Sequence, residues 1–406
     1  MLNNAALLMM FKTKVEEVTQ VACSDNTTWY VTKSGELYGC GRGNKGQQGN
    51  GSTSMVTTFT KRADNVAQVA WFNYTTWYLT NSGELYGCGD GYYGQQGNGS
   101  TGSTGRVTTF TKRADNVSQA ACSDNTTWYL TNSGELYGCG RGNKGQQGNG
   151  STNSLTTFTK RADNVAQVAC SDNTTWYVTK SGELYGCGHG GYGQQGNGST
   201  DNVTTFTKRA DNVAQVACSK STTWYVTKSG ELYGCGYGNT GQQGNEAYDN
   251  VITFTKRADN ISQVTCSDNT TWYVTKSGEL YGCGDGYYGQ QGNESNGLTN
   301  KVTTFTKRAD NVTMVACSDF TTWYITKSDE LYGCGWGSSG QQGNGSNDNV
   351  TTFTKRADNV AQVTCFGGYT TWYLTKSGEL YGCGYSYYGQ QGNGSTDKVT
   401  IFTKRP

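Results

Sequence analysis

The sequence predicts an all-β fold, an eight-bladed β-propeller of four-stranded antiparallel blades closed by pairing of the N- and C-terminal strands. Three observations predict it. The tetrapeptide Thr-Thr-Trp-Tyr recurs eight times, with its Trp at 29, 77, 128, 176, 224, 272, 323 and 372, so the repeat is 48 to 51 residues long. Each repeat contains four short segments rich in β-branched and aromatic residues, separated by Gly, Asn, Asp and Ser. No linker interrupts the array, and stacking such units radially buries sheet faces that one unit cannot bury alone.

In the first copy the predicted strands are Val18 to Cys23, Thr27 to Thr32, Glu36 to Gly41 and Val56 to Lys61. Their period-two alternation, with Gly interrupting every stretch that could be a helix, excludes a helical reading. The repeats place eight blades at about 14–61, 62–112, 113–160, 161–208, 209–256, 257–307, 308–355 and 356–406, all in one domain. The N-terminal run Leu8 to Thr13 and the C-terminal run Val399 to Lys404 both match the fourth-strand pattern Val-Thr-Thr-Phe-Thr-Lys. One of them is expected to complete a blade begun at the other end of the chain, which removes exposed strand edges.

Composition narrows the function classes. The 406 residues carry 32 Lys and Arg against 31 Asp and Glu, with no basic tail, so the footprint of phosphate-backbone binding is missing and no nucleic acid is expected. No apolar run approaches the roughly 20 residues of a membrane helix, so no membrane insertion is expected. The stretch Ala5 to Phe11 lacks the preceding positive charge and the small-residue cleavage site of a secretion signal. It reads as an edge strand, and the protein as cytoplasmic (nuclear if eukaryotic).

Fifteen cysteines fall at two fixed positions per repeat, as in Cys23 and Cys40, and never as C-x-x-C; the chain has one His, His189. Structural zinc needs tight pairs of thiolates or imidazoles, and repeat two has Trp71 in place of the first Cys. The cysteines therefore read as small buried apolar residues, and no metal or cofactor is expected. Gly41-x-Gly43-x-x-Gly46 has dinucleotide-binding spacing, but no helix follows it to hold a phosphate. Sequons such as those at Asn26 and Asn50 matter only in a secretory pathway. With one His and no recurring pair of loop carboxylates, the parts of an active site are missing and the chain reads as non-enzymatic.

The runs Gly35-Glu36-Leu37-Tyr38-Gly39-Cys40-Gly41 and Gly46-Gln47-Gln48-Gly49-Asn50-Gly51, repeated eight times, resemble the regulator of chromosome condensation repeat, with its "G-x-(L/V)-Y-x-W-G" and "G-Q-L-G-x-G" runs about 50 residues apart. The chain departs from the family pattern at Thr27 (usually His), Cys40 (usually Trp) and Gln48 (usually Leu), and its only Pro is Pro406. The resemblance implies a propeller, usually of seven blades, so eight copies imply a wider ring. It also implies exchange factors for Ran-type small GTPases, propeller inhibitors of β-lactamase, and adaptor domains. The family's exchange-factor residues lie outside the shared motif, so none carries over to a position of this chain.

Strand parity locates the candidate site. If the first strand runs upward, the turn after it and the long loop after the third strand both lie at the top. The other two turns lie at the base. The base turns, Lys-Ser-Gly and Lys-Arg-Ala-Asp-Asn, hardly change between copies, whereas both top connections vary. The candidate partner-binding residues are therefore Arg42, Lys45, Phe72, Tyr74, Tyr92, Tyr93, Tyr192, Tyr237, Tyr287, Tyr288, Phe320, Trp336, Phe366, Tyr369, Tyr385, Tyr387 and Tyr388. Rigid amphipathic rings beside small polar residues are the vocabulary of protein-recognition loops, and exposed rings on a rim call for a cover. The aromatic sector of repeats six to eight and two is expected to be interrupted by Arg42 and Lys45 of repeat one.

The expectation is a monomeric ring that binds a protein partner through this rim. The alternatives are an exchange factor for a Ran-type GTPase, a multivalent lectin with sites built from invariant residues, or a self-assembling structural protein.

Overall fold

β-Branched and aromatic residues set the strands, and Gly or Asn at positive φ sets the turns between them. The computed structural model describes residues 17–405 except Asp25, Asn73 and Asp124. The expected strand Leu8 to Thr13 lies outside the described residues. Eight four-stranded antiparallel sheets follow one another, each built from four consecutive strands. In the first blade these are β1 (Val18–Cys23), β2 (Thr27–Thr32), β3 (Leu37–Gly41) and β4 (Val56–Ala63).

Two boundaries differ from the sequence reading. Glu36 lies outside β3 because its backbone N–H goes to Thr32 Oγ1 (3.0 Å) and its carbonyl accepts from Thr32 N (3.0 Å), which makes it part of the turn. β4 runs on to Ala63, which pairs with Leu37. The base turn after it ends in Asn65 at φ 60°, a left-handed conformation that Asn tolerates better than most residues.

The core lies between blades. Trp29 lies across Gly39 of its own sheet, where an added Cβ would come within 2.2 Å of the indole, and is fully buried. With Ala22, Val31 and Leu37 it packs against Val66, Val69 and Tyr78 of the next blade. Burying an indole of this kind is worth roughly 4–6 kcal/mol by area, an upper bound. Tyr30 stacks on Tyr38 at 4.9 Å and meets Phe59 edge-on at 4.9 Å. This arrangement recurs from blade to blade, so eight equal seams replace one central core.

Each inner strand has a free edge facing the axis. A Gln from the preceding blade covers part of it: Gln215 donates to Val264 O (3.2 Å) and accepts from Val264 N (3.3 Å), and Gln20 accepts from Val69 N (3.2 Å). In the seventh blade this position is Met314, which has no amide to offer.

The ring closes face to face. Among the described residues, Val399–Lys404 pairs with Leu380–Gly384 inside the eighth blade and β1 pairs with β2, so no pairing of terminal strands joins these two blades; the other expected partner, Leu8 to Thr13, lies outside the described residues. The eighth blade is complete from consecutive chain, and the two strands occupy opposite ends of their sheets, one inner and one outer. Closure comes instead from Val18 N donating to Gly378 O (2.9 Å) and Gly394 N to Thr57 O (2.8 Å), and from the bridge between Thr58 and Asn393. Val18, Val21 and Tyr30 pack on Trp372, Leu374 and Leu380, which makes this seam equivalent to the other seven.

Candidate partner-binding rim

Why only certain loop positions vary follows from how the long loop is built. Gly43 lies against Ser54, where an added Cβ would fall 1.9 Å from its carbonyl oxygen, and Gly41 and Gly46 have φ of 108° and 81°. Two buried glutamines hold the loop from beneath. Gln47 Oε1 accepts from Lys45 N (2.8 Å), and Gln48 Nε2 donates to Cys40 O (2.9 Å) and Arg42 O (3.3 Å). Positions 42, 44 and 45 are left as outward-facing side chains, and they are the positions at which the copies differ.

A backbone hydrogen bond ties the two top connections together within each blade. Arg42 N donates to Asn26 O (2.8 Å), Asp90 N to Tyr74 O (2.8 Å), Trp336 N to Phe320 O (2.9 Å) and Tyr385 N to Tyr369 O (3.0 Å). Both variable loop classes therefore occupy one rim.

On that rim the rings join across blades. Tyr287 meets Tyr288 at 4.7 Å, and Tyr288 meets Phe320 at 5.3 Å and Trp336 at 5.6 Å. Trp336 meets Tyr369 at 5.2 Å, and Tyr369 meets Tyr385 at 6.0 Å. Tyr385 lies beside Tyr387 at 6.2 Å, and Tyr387 meets Tyr388 at 5.1 Å. Arg42 does not interrupt the arc. Its guanidinium lies 4.7 Å from the Tyr388 ring and 5.6 Å from the Tyr74 ring and carries the arc across the closing seam, because a planar cation stacks on an aromatic face. Lys45 turns aside to Asp90, 3.7 Å away.

The remaining candidates form smaller groups. Tyr92 and Tyr93 are in contact at 5.0 Å, and Arg141 of the next blade covers Tyr93 at 4.9 Å. Tyr192 touches His189 at 5.9 Å and Tyr237 at 5.0 Å. Tyr92, Tyr192, Tyr287 and Tyr387 are the exposed rings, led by Tyr387 at 62% and Tyr92 at 56%, while the others are half-buried. The side chains of Phe72 and Phe366 lie outside the described residues. Arg141 and His189 belong to the rim although they were not among the expected contact residues; they occupy the same repeat position as Arg42. His189 Nδ1 contacts Gln194 Nε2 at 2.8 Å, and burial, then the charge of Lys144, keeps the imidazole below its usual pKa and so neutral.

Two other hollows are present. One of about 360 Å³ lies on the axis among Gln20, Gln68, Ala120, Cys122, Cys170 and Cys218, and one of about 330 Å³ lies at the base beside Arg113, Tyr129 and Tyr137. Among the described residues no cluster of His, Cys, Asp or Glu is arranged to hold a metal ion. Burial raises the thiols, Cys218 and Cys317 to about 12, which leaves them as protonated apolar groups.

The model of the regulator of chromosome condensation (RCC1) repeat matches residues 18–47, 117–146, 165–194 and 261–290. Among solved structures, the chain is similar to human WBSCR16 at 20% identity and a TM-score of 0.62, over 79% of this chain and 93% of that one. It is similar to yeast RCC1 (Prp20), solved bound to Kap60, at 19% identity and a TM-score of 0.63, over 79% and 83%. A second structure, Prp20p from Saccharomyces cerevisiae, described with its binding to Gsp1p and histones, matches at 19% identity and a TM-score of 0.61, over 81% and 87%. At these identities the likeness is one of fold. No match is found among the curated proteins. The chain is an eight-bladed β-propeller, and four stretches of it match the regulator of chromosome condensation repeat.

Proposed function

We propose that this propeller acts by binding and not by catalysis, and that its aromatic rim is the surface that holds a protein partner. The observation that carries this reading is the unbroken line of ring contacts from Tyr287 through Trp336 and Tyr388 to Arg42 and Tyr74, built wholly from positions at which the repeats differ. Duplicated copies that keep nearly all structural residues and diverge mainly at outward-facing positions of one rim fit selection for a contact surface. Rings there supply large contact area at small entropic cost. The binding of Prp20p to Gsp1p and histones supports a protein as the partner class.

Affinity capture from native lysate tests this with paired variants. Tyr92→Ala with Tyr387→Ala should release the captured protein, and Lys208→Ala with Asp211→Ala at the base should retain it. Equal capture by both pairs contradicts the assignment. An exchange-factor role, which the resemblance to the regulator of chromosome condensation repeat implies, further requires that the captured protein be a GTPase whose nucleotide release the propeller accelerates.

A further inference from the structure

Resting on the rim as the binding surface, we infer that the sector over blades one to three recognises an acidic, extended segment of the partner. Arg42 and Arg141 occupy equivalent loop positions two blades apart. Each lies on a Tyr of the preceding blade, Tyr388 at 4.7 Å and Tyr93 at 4.9 Å. Neither has a carboxylate partner among the described residues, and Arg141 Nε is buried without an acceptor. The neighbouring Lys45 is neutralised by Asp90, and the base lysines are held by carboxylates, as Lys160 is by Glu135 (2.6 Å) and Asp163 (2.7 Å).

A guanidinium stacked on a ring is fixed in orientation, and its two terminal amino groups can grip a carboxylate in bidentate fashion. Between the two arginines lie Tyr74 and Tyr92, the second exposed at 56%, so a strand of chain can cross apolar rings from one cation to the other. On the opposite side Asp285 occupies the loop position of Arg42 and Arg141, and Asp268 and Asp319 lie inward of it at the axial mouth, which disfavours an acidic segment there and gives the surface a direction. Those carboxylates, and a net charge of +1, favour an acidic polypeptide over a single-stranded nucleic acid.

Selection of a random twelve-residue peptide display library on the full chain tests the inference, with anisotropy on the recovered peptides as readout. The recovered peptides should carry at least two acidic residues beside apolar ones and bind less tightly as salt rises. Arg42→Gln with Arg141→Gln should weaken them roughly a hundredfold or more, since a hydrogen bond to a charge is lost at each site, with an unchanged melting midpoint. Neutral or basic peptides that still depend on Tyr387 would overturn the acidic specificity and leave the rim assignment standing. Peptides indifferent to Tyr92→Ala and Tyr387→Ala, or none recovered at all, would overturn both. Labelled oligouridylate bound through the same two arginines, with no acidic peptide recovered, would reassign the sector to nucleic acid.

Discussion

The guanidinium of Arg42 lies 4.7 Å from the ring of Tyr388 and joins the first blade to the eighth on the variable rim. Beside it, the rim residues divide by environment. Trp336 is half-buried against Tyr288, Phe320 and Tyr369, whereas Tyr387 is 62% exposed. Tyr387→Ala and Tyr92→Ala should therefore leave stability within about 0.5 kcal/mol, as surface changes do, and Trp336→Ala should cost about 2–3 kcal/mol. Guanidinium denaturation of the three variants measures this, and a large loss from Tyr387→Ala would make that ring a packing residue.

Met314→Gln should stabilise the chain. In the first, fifth and sixth blades a Gln at this position caps the edge of the next inner strand, as Gln215 does with Val264 at 3.2 and 3.3 Å. Restoring the amide at Met314 should raise the unfolding free energy by about 1 kcal/mol. An unchanged denaturation midpoint would mean that water already serves that edge.

Gly138→Ala should be among the most damaging small substitutions. An added Cβ would fall 2.3 Å from the Trp128 ring in a fully buried seam, and overpacking of this kind costs about 3 kcal/mol or more. Gly99→Ala provides the contrast. It has nothing within 4 Å but a φ of 82°, so only the left-handed backbone penalty of about 1–2 kcal/mol applies. Thermal melts of both should rank them in that order.

Asp319 accepts from Asp268 N at 2.9 Å near the axial mouth, and burial, then the Asp268 charge, raises its carboxyl above 3.8. Burial likewise raises Asp268, against the opposing hydrogen bond and charge of Lys220 and with a further push from Asp172. A carboxyl with a raised folded pKa holds its proton more tightly when folded, so stability falls as pH rises through the window above 3.8 and stays lower beyond it. Asp319→Asn keeps an acceptor and removes the charge. Its melting midpoint should exceed that of the parent at pH 7, with the gain vanishing as pH falls below 3.8, where the parent is protonated both folded and unfolded. An equal gain at both pH values would contradict burial of that charge.

The seam thiols at Cys40, Cys88, Cys139 and their equivalents are fully buried and raised by desolvation. They should stay silent to Ellman's reagent at pH 8 in the native protein, whereas all 15 cysteines should react once it is unfolded. Prompt labelling of more than seven native thiols would show that the seams open.

Much of this was legible in the residues because the repeat is so regular. Trp29 and its seven copies fix the blade count, and the β-branched and aromatic run Thr27–Thr32 marks a strand. Parity alone was enough to bring Phe320 beside Trp336. Closure was not legible, because the runs ending the chain match the same strand pattern and only the pairing of Val399 with Gly384 shows where the last one goes. The role of Arg42 was hidden for a different reason. A cation among tyrosines reads as a break in an aromatic surface until its plane is seen to lie on a ring.

Site-specific photo-crosslinking tests the central claim most directly. With benzoylphenylalanine placed in turn at Tyr92, Tyr387 and the base residue Asp211, the same partner protein should be captured from the first two positions and not from the third. Capture from Asp211, or different proteins from Tyr92 and Tyr387, would contradict a single recognition surface on the variable rim.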